Sequence, residues 1–371
     1  MKNRIIGYDL ARALALFGMV IVNFKMVMGT AENGPPWLIG LTGLLEGRAA
    51  ATFVLLAGIG ISLLSGQARR SKIPNATVPI RNILLKRAFF LFVVGFLYTP
   101  VWPADILHFY GVYIAVAALL LTSSIRKLSI LSFLLIVGFV VLFFAFDYEQ
   151  GWDWKTLEYA DFWTPLGMIR NLFFNGFHPT IPWLSFLLIG MIIGRFDMSN
   201  SLIRRRVFWA GLITALAAEA TSWLLINSLS AGVSIAEKET IVSFFGTKPM
   251  PPMPLYILAG AGAASAMIAA SVEVGVRCGS HRWIRPWVAT GQLALTLYVA
   301  HVVVGMGVLE EINRLENQTL SFSLLASGVF FALSVVFAHL WRCRFKRGPV
   351  EVVMRYLTEK RRVAPSGDSN A

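Results

Sequence analysis

The sequence is poor in cysteine and in charge, and it has no long polar segment. Two of its 371 residues are cysteine, Cys278 and Cys343, and no Cys/His spacing typical of a metal site is present. A disulfide framework is therefore excluded, and both cysteines fall on the side predicted below to face the reducing cytoplasm. Charged residues are 14% of the chain and hydrophobic residues 56%, so no separate soluble domain fits between the apolar stretches.

The apolar residues form repeated stretches near the ~20 residues that cross a bilayer as a helix. With a mean hydropathy of +0.66, the chain is predicted to be all-α, a polytopic membrane helix bundle of about ten spans. One integral membrane domain is predicted over residues 1–362, and a disordered cytoplasmic tail over residues 363–371. The predicted spans are Tyr8 to Met28, Ala49 to Ser65, Ile83 to Thr99, Asp105 to Leu121, Leu128 to Phe146, Ile181 to Arg195, Val207 to Asn227, Met253 to Val274, Trp287 to Val308 and Phe322 to Trp341.

The net charge of +13 reflects topology, and we predict no nucleic-acid partner. Basic residues fall in alternate loops, on what we call the arginine-rich side, and acidic residues fall in the other loops, on what we call the acidic side. By the positive-inside rule the arginine-rich side, with both termini, is predicted to be cytoplasmic. The first apolar run follows Lys2 and Arg4 as in a signal peptide, but its length and its interruption by Asp9 and Arg12 favour a retained helix. The arginine-rich side carries Arg69, Arg70, Lys72, Arg81, Arg126, Lys127, Arg204, Arg205, Arg206, Arg277, Arg282, Arg285 and the segment from Arg342 to Arg362, and the acidic side carries Asp147, Glu149, Asp153, Glu158, Asp161, Glu237, Glu239, Glu310 and Glu311.

Polar residues recur along one face of the first predicted helix. Asp9 and Arg12 are i, i+3 neighbours and can form an ion pair. Asn23 follows Arg12 by eleven residues, which puts it roughly 16 Å farther along the same face. Ionisable groups inside a span are costly unless they are paired or hydrated, so this stripe is a candidate site. The alternative is an interfacial anchor, with Asn23 joining two helices.

Two histidines near the acidic side have polar neighbours at helical spacing. Asp105 and His108 are i, i+3 neighbours, and a carboxylate beside an imidazole can orient a general base. The alternative is a pair that caps a helix. His301 lies in the outer half of the ninth predicted span, one turn after Tyr298, and it is either a catalytic group or a hydrogen-bonded core residue.

Further candidates lie at the ends or in the middle of other spans. Glu46 and Arg48 stand at the outer start of the second predicted span. His178 precedes the sixth span, and Trp183 lies in the first turn of that span. A loop histidine with no visible partner is more often an ordinary residue. Glu219 lies at the centre of the seventh span, where a carboxylate has to be protonated, paired or part of an ion path.

Motifs at these positions follow one another along the whole chain. Together they resemble the transmembrane acyltransferase superfamily, which includes the heparan-glucosaminide N-acetyltransferases and the bacterial YeiB-like proteins. The motif at Asp105 and the closing motif are more similar to the YeiB-like branch, and Tyr298-x2-His301 is more similar to the heparan enzymes. The motifs are Arg4-x4-Asp9-x2-Arg12-x10-Asn23, Glu46-Gly47-Arg48, Arg87 through Asp105-Ile106-Leu107, Pro182-Trp183 through Gly190-Met191 to Gly194-Arg195, Gly291 through Tyr298 to His301, and Arg347-Gly348-Pro349-Val350-Glu351.

The resemblance implies a multi-pass protein of the bacterial plasma membrane that transfers an acyl group, commonly acetyl. The donor is expected to be a cytoplasmic thioester such as acetyl-CoA or another acyl-CoA. The acceptor is expected to be a hydroxyl or amine of a saccharide or envelope component on the far side. Donor phosphates need cations, for which Arg81, Lys86, Arg87 and Arg12 are the candidates, although these also satisfy the positive-inside rule without a donor. A homodimer is an open possibility.

One departure from the family concerns the base. The heparan enzymes carry their catalytic histidine eleven residues beyond the position of Asn23, where this sequence has Gly34. No histidine stands between Met1 and Leu107. Therefore His108, His178 or His301 takes that role, or this branch has a different chemistry.

We therefore predict an acyl-CoA-dependent acyltransferase without a metal or a covalently bound cofactor. His301 is the first candidate for the base and His108, oriented by Asp105, the second, with Asn23 donating to the thioester oxyanion. The alternative is a transporter or exporter of a small polar solute, coupled through Glu219 and His301, although the inverted repeat favoured in such folds is not evident. A catalytically inactive sensor or assembly subunit is a third possibility. The residues predicted to bind substrate are Glu46, Arg48, His178, Trp183 and Tyr298.

Overall fold

The structure is a computed structural model that describes residues 4–30, 33–154 and 156–359. The regular secondary structure of the described residues is helical apart from a hairpin of two short antiparallel strands, β1 (Trp152–Asp153) and β2 (Glu158–Tyr159), which confirms the all-α class. The predicted tail at residues 363–371 lies outside the described residues. The helices are α1 (Gly7–Val27), α2 (Pro36–Gly43), α3 (Arg48–Arg70), α4 (Val78–Tyr98), α5 (Leu107–Leu119), α6 (Ile125–Ala145), α7 (Pro165–Arg170), α8 (Thr180–Ile193), α9 (Ser201–Leu229), α10 (Ile235–Phe245), α11 (Pro254–Cys278), α12 (Ile284–Gln292), α13 (Ala294–Ala300), α14 (Gly307–Glu311), α15 (Leu320–Arg344) and α16 (Pro349–Thr358), with π-helical turns at Asn171–Asn175 and His301–Met306.

Seven helices or joined helices of the described residues are long and apolar enough to cross a membrane. An eighth is added if Pro165–Asn175 and Thr180–Ile193, which are bent by 48°, form one broken span. The protein is therefore a multi-pass membrane protein by length and composition. The count of about ten spans and the cytoplasmic position of both termini stay predictions. The seven are Gly7–Val27, Pro36–Arg70, Ile125–Ala145, Ser201–Leu229, Pro254–Cys278, Ala294–Glu311 and Leu320–Arg344.

Some predicted spans differ from the helices observed. The third corresponds to α4, which has 21 residues but carries three cations in its first half. The fourth corresponds to α5, which has only 13 residues. The ninth is divided, because α12 ends at Gln292 and α13 begins after the irregular residue Leu293. Apolar length alone does not reveal such a break.

Glycines let the central helices approach closely. A Cβ on Gly58 of α3 would lie 2.0 Å from the carbonyl oxygen of Leu187, and a Cβ on Gly190 of α8 would lie 2.0 Å from that of Leu55. Backbone contact of this kind is typical of membrane helices with small residues at their interface. It brings α8 into the middle of the bundle, where its Trp183 is fully buried.

The C-terminal helix α16 packs back against α4 and α13. Its Glu351 accepts hydrogen bonds from the backbone N–H groups of Leu295 (3.0 Å) and Thr296 (3.1 Å), in the first turn of α13. These donors have no helical partner, because the chain is irregular at Leu293 and the first N–H groups of a helix are free. A carboxylate is also favoured at a helix N-terminus. The break in the ninth predicted span thereby provides the docking point of α16.

Candidate active site

The side chains of Asn23 and His301 meet inside the bundle. Asn23 lies near the end of α1, and His301 opens the π-helical turn after α13. The Nδ2 atom of Asn23 is 2.9 Å from Nε2 of His301, and His301 is fully buried. The structure therefore brings together two predicted catalytic residues that lie in different helices.

The backbone fixes the protonation state of this histidine. Nδ1 of His301 faces the carbonyl oxygen of Tyr298, which can only accept, so Nδ1 carries a proton. In the neutral ring Nε2 is then an acceptor, and the Asn23 amide donates one N–H to it. The second amide N–H of Asn23 is left to donate elsewhere.

Asp105 is the centre of a second buried cluster. Its Oδ2 accepts from the backbone N–H groups of Leu107 (2.8 Å) and His108 (3.2 Å) and lies 3.1 Å from Nδ1 of His108. Its Oδ1 accepts from the Tyr298 hydroxyl at 3.2 Å, and that hydroxyl accepts from the N–H of Ile106 at 3.2 Å. The predicted pairing of Asp105 with His108 is confirmed, and it extends to Tyr298. Nε2 of His108 is buried and has no partner among the described residues.

A small cavity of ≈ 80 Å³, which we call the outer cavity, lies beside Asn23. Asn23, His178 and Tyr298 supply polar side chains to its wall, whereas His108 and His301 do not line it. The His178 ring packs edge-on against the buried ring of Trp183, with centroids 4.6 Å apart. Trp183 thus holds His178 in place rather than lining the cavity itself.

Glu46 and Arg48 are each paired, but not with each other. Glu46 accepts from the ammonium of Lys25 at 2.6 Å, and Arg48 forms an ion pair with Glu219 of α9. Thr247 also donates to Glu219, at 2.9 Å. Glu219 is therefore a paired carboxylate rather than an isolated one. Sequence reasoning missed the buried Lys25, whose signal was a cation at the outer end of the first apolar stretch.

A larger apolar groove of ≈ 370 Å³, which we call the inner groove, lies between α3, α4, α5, α13 and α16. Its polar lining consists of Arg87, Tyr110 and Tyr298, and Met354 of α16 closes part of its wall. Arg87 forms an ion pair with Glu359 at 2.6 Å. Arg87, one of the predicted phosphate-binding cations, thus faces the groove. Its guanidinium is already paired with the carboxylate of Glu359.

The other predicted donor-binding cations are placed differently. Arg81 and Lys86 of α4 are exposed and do not line the inner groove. Arg12 forms the predicted ion pair with the buried Asp9 at 2.8 Å. Its second terminal nitrogen lies 3.7 Å from the Cβ position of Gly60, a residue of the groove wall. Arg12 therefore lies beside the groove, whereas Arg81 and Lys86 are available only at its approach.

The inner groove and the outer cavity share two wall residues, Ile106 and Tyr298. Tyr298 is 2% exposed and is held on Asp105, so its side chain is a fixed part of the wall that the two spaces share. The Asn23 amide lines the outer cavity, as Tyr298 does. A molecule in the groove and a molecule in the cavity would approach each other at Tyr298.

Two family models match the chain. The model described as heparan-alpha-glucosaminide N-acetyltransferase, catalytic, matches residues 4–231, which is more than half of the sequence. The chain belongs to this family. A second model, described as protein of unknown function (DUF418) and characteristic of YeiB-like proteins, matches residues 195–361. A search of curated proteins gives no match.

Family membership indicates an acyltransferase-like activity in a membrane protein. The first match contains Asn23, Asp105, His108 and His178, and the second contains His301. Gly34 stands at the position where the heparan enzymes carry a histidine. A Cβ on Gly34 would lie 2.9 Å from the Cβ of Leu320, the first residue of α15. That position has no room for an imidazole without movement of α15.

Proposed function

We propose that the protein moves an acyl group, acetyl in the first instance, from a thioester donor on the arginine-rich side to a hydroxyl or amine acceptor on the acidic side. The arginine-rich side would be the cytoplasm of a bacterial cell. The observation that supports this most is the meeting of the inner groove and the outer cavity at Tyr298, beside the Asn23 amide. Two substrates could react there without either one crossing the membrane completely.

The inner groove would take the thin arm of an acyl-CoA, whose amides could bond to the hydroxyls of Tyr110 and Tyr298 and whose acyl group would contact the apolar wall. The donor phosphates would pair with Arg87 on the groove wall and with Arg81 and Lys86 at the approach. Because Glu359 already pairs with Arg87, a donor phosphate would have to displace this carboxylate. The acyl carbonyl would then lie near Tyr298, within reach of the Asn23 amide.

In the proposed reaction the acceptor lies in the outer cavity and gives its proton to His178, the histidine that lines it. The acceptor oxygen or nitrogen attacks the thioester carbon, and the free N–H of Asn23 donates to the resulting oxyanion. Collapse of this intermediate breaks the carbon–sulfur bond. The proton on His178 passes to the leaving thiolate, which restores the neutral histidine.

His301 acts through Asn23 in this proposal. Both of its ring nitrogens are engaged, Nδ1 by a carbonyl and Nε2 by the Asn23 amide. It therefore positions the oxyanion donor, and it could serve as the base only after Asn23 turned away. His108 remains a second candidate base, because Asp105 holds its Nδ1 and its Nε2 has no partner among the described residues.

The proposal is tested with purified protein in liposomes, radiolabelled acetyl-CoA and a mixture of amino sugars and envelope saccharides. Label should appear on an acceptor with the wild-type protein and not with Asn23→Ala. Donor binding to both proteins is measured in parallel, so that a lost site is distinguished from a lost reaction. Donor binding without any transfer by the wild type would favour the sensor alternative.

The transporter alternative depends on a carboxylate that gains and loses protons. Glu219 is held by Arg48 and Thr247, so it is not the isolated carboxylate that the transporter alternative takes as its coupling group. This pairing supports the acyltransferase over proton-coupled transport.

A further inference from the structure

Three arginines converge where α3 and α8 end on the arginine-rich side. Terminal nitrogens of Arg69 and Arg70 lie 3.8 Å and 3.7 Å from one point, the Cβ position of Gly66. Arg195 follows α8 directly, and its positive charge acts on Arg69. None of the three is in an ion pair within residues 4–30, 33–154 and 156–359.

Hydrogen bonds fix the position of Arg69 in this cluster. Arg69 donates to the carbonyl oxygen of Ser62 at 3.1 Å and to its hydroxyl at 3.2 Å and 3.3 Å. Ser62 in turn contacts the end of α8, because a Cβ on Gly194 would lie 2.7 Å from the Ser62 Cβ. The backbone contact between the two helices therefore fixes Arg69 next to Arg195.

The guanidinium of Arg195 has buried N–H groups without an acceptor in the described part of the chain. These groups are on its Nε and on one terminal nitrogen. Burial lowers the pKa of this guanidinium. The nearest acid in sequence, Asp197, is exposed and accepts from the N–H of Ser199. Positive-inside topology requires arginines on this side, but it does not require buried, unpaired N–H groups.

We propose that Arg69, Arg70 and Arg195 form a binding site for a phosphate group, separate from the inner groove. Phosphate oxygens match the forked geometry of guanidinium and would neutralise the three like charges. None of these arginines lines the groove, which Arg87 faces from a different helix. The phosphate belongs either to the headgroup of an anionic phospholipid or to a soluble phosphate compound, and the site does not depend on the proposed reaction.

The test uses the full chain purified in phosphate-free detergent. Native mass spectrometry compares phosphatidylglycerol with phosphatidylcholine, and calorimetry measures binding of inorganic pyrophosphate. Preferential retention of phosphatidylglycerol identifies a lipid headgroup, and binding of pyrophosphate identifies a soluble ligand. Arg195→Gln and Arg69→Gln should each weaken the bound species about tenfold or more, because charge-assisted hydrogen bonds are lost.

The matched control is Arg205→Gln, which removes an exposed arginine from the same side and should leave binding unchanged. Arg195→Lys keeps the positive charge but loses the paired N–H donors of the guanidinium, so it should bind the phosphate probe more weakly than the wild type. This variant keeps the test decisive if Arg195→Gln does not fold. The proposal is overturned if the wild type prefers neither probe, or if Arg205→Gln weakens binding as much as the cluster variants do.

Discussion

Nδ2 of Asn23 lies 2.9 Å from Nε2 of His301, although 278 positions separate the two residues in the chain. Asn23 lies within the match to the acetyltransferase catalytic family, and His301 lies within the second match. One polar pair therefore joins the two matched regions. The reactive centre that we propose requires both of them.

Asn23→Ala should lower acyl transfer by about 10²- to 10³-fold, the usual cost of losing one oxyanion donor. Donor binding should persist, because the variant leaves the inner groove intact. The assay is the rate of label transfer in liposomes. Asn227→Ala is the control, since that amide is exposed and bonds only within its own helix. Near-normal transfer by Asn23→Ala would remove the oxyanion role.

The base is identified by the pH profiles of four histidine variants. Burial lowers the pKa of His178 to about 3, so with His178 as the base kcat/KM should fall only as the pH drops toward that value, below the usual histidine range. If His178 is the base, His178→Ala should lose about 10² to 10⁴ in rate together with this acidic limb of the kcat/KM profile. His301→Ala should also lower the transfer rate, because the Asn23 amide loses the hydrogen bond that positions it. This variant should keep the acidic limb, because His178 is intact. His339→Ala, an exposed residue of α15, should behave like the wild type. Loss of the limb in His301→Ala or in His108→Ala instead would assign the base to that residue, as the sequence predicts.

Arg87 and Glu359 should have opposite effects on the donor. Hydrogen bonds from Arg355 and Arg87 outweigh burial and lower the pKa of Glu359, so this group is ionised at neutral pH and competes with phosphate. Arg87→Ala should weaken coenzyme A binding by about 10- to 100-fold, whereas Glu359→Gln should strengthen it. Calorimetry in detergent measures both changes.

Lys127→Ala provides the control for that pair, since Lys127 is an exposed cation of the arginine-rich side and lies outside the groove. Equal weakening by Lys127→Ala and Arg87→Ala would mean that coenzyme A responds only to the general charge of this side.

Glu219→Gln distinguishes the acyltransferase from the transporter. The amide oxygen can still accept from Arg48, and the amide N–H can donate to the Thr247 hydroxyl, so acyl transfer should stay within severalfold of the wild type. Proton-linked uptake of a polar solute by wild-type liposomes, abolished in Glu219→Gln, would contradict the acyltransferase account. Transfer and uptake are measured on the same preparations.

Sidedness is tested by single cysteines in a background of Cys278→Ser and Cys343→Ser. Thr156→Cys and Ala231→Cys, both exposed on the acidic side, should react with an impermeant reagent from outside intact cells. Ser71→Cys should react only after the cells are opened, because the arginine asymmetry places it inside. Labelling of position 71 in intact cells would reverse the proposed direction of transfer.

The sequence predicted contacts between near neighbours in the chain well. Asp9 and Arg12 lie in α1, whereas Asp105 precedes α5 and accepts from the first N–H groups of that helix. Both Asp9–Arg12 and Asp105–His108 are i, i+3 pairs and form the expected contacts, at 2.8 Å and 3.1 Å, and such local contacts require no knowledge of the tertiary fold.

Contacts between helices could not be predicted in this way. Spacing grouped Glu46 with Arg48, yet their partners are Lys25 and the distant Glu219. The break between α12 and α13 at Leu293 could not be predicted either, because Leu293 lies within an apolar stretch. Both features depend on how the helices pack, which a single sequence does not encode in any local period.

The most direct test of the central claim is calorimetric titration of the purified protein with acetyl-CoA. The account predicts saturable binding at one site, competed by coenzyme A, weakened by Arg87→Ala and unchanged in Asn23→Ala. A properly folded wild-type protein that binds neither acetyl-CoA nor longer acyl-CoA esters would contradict it.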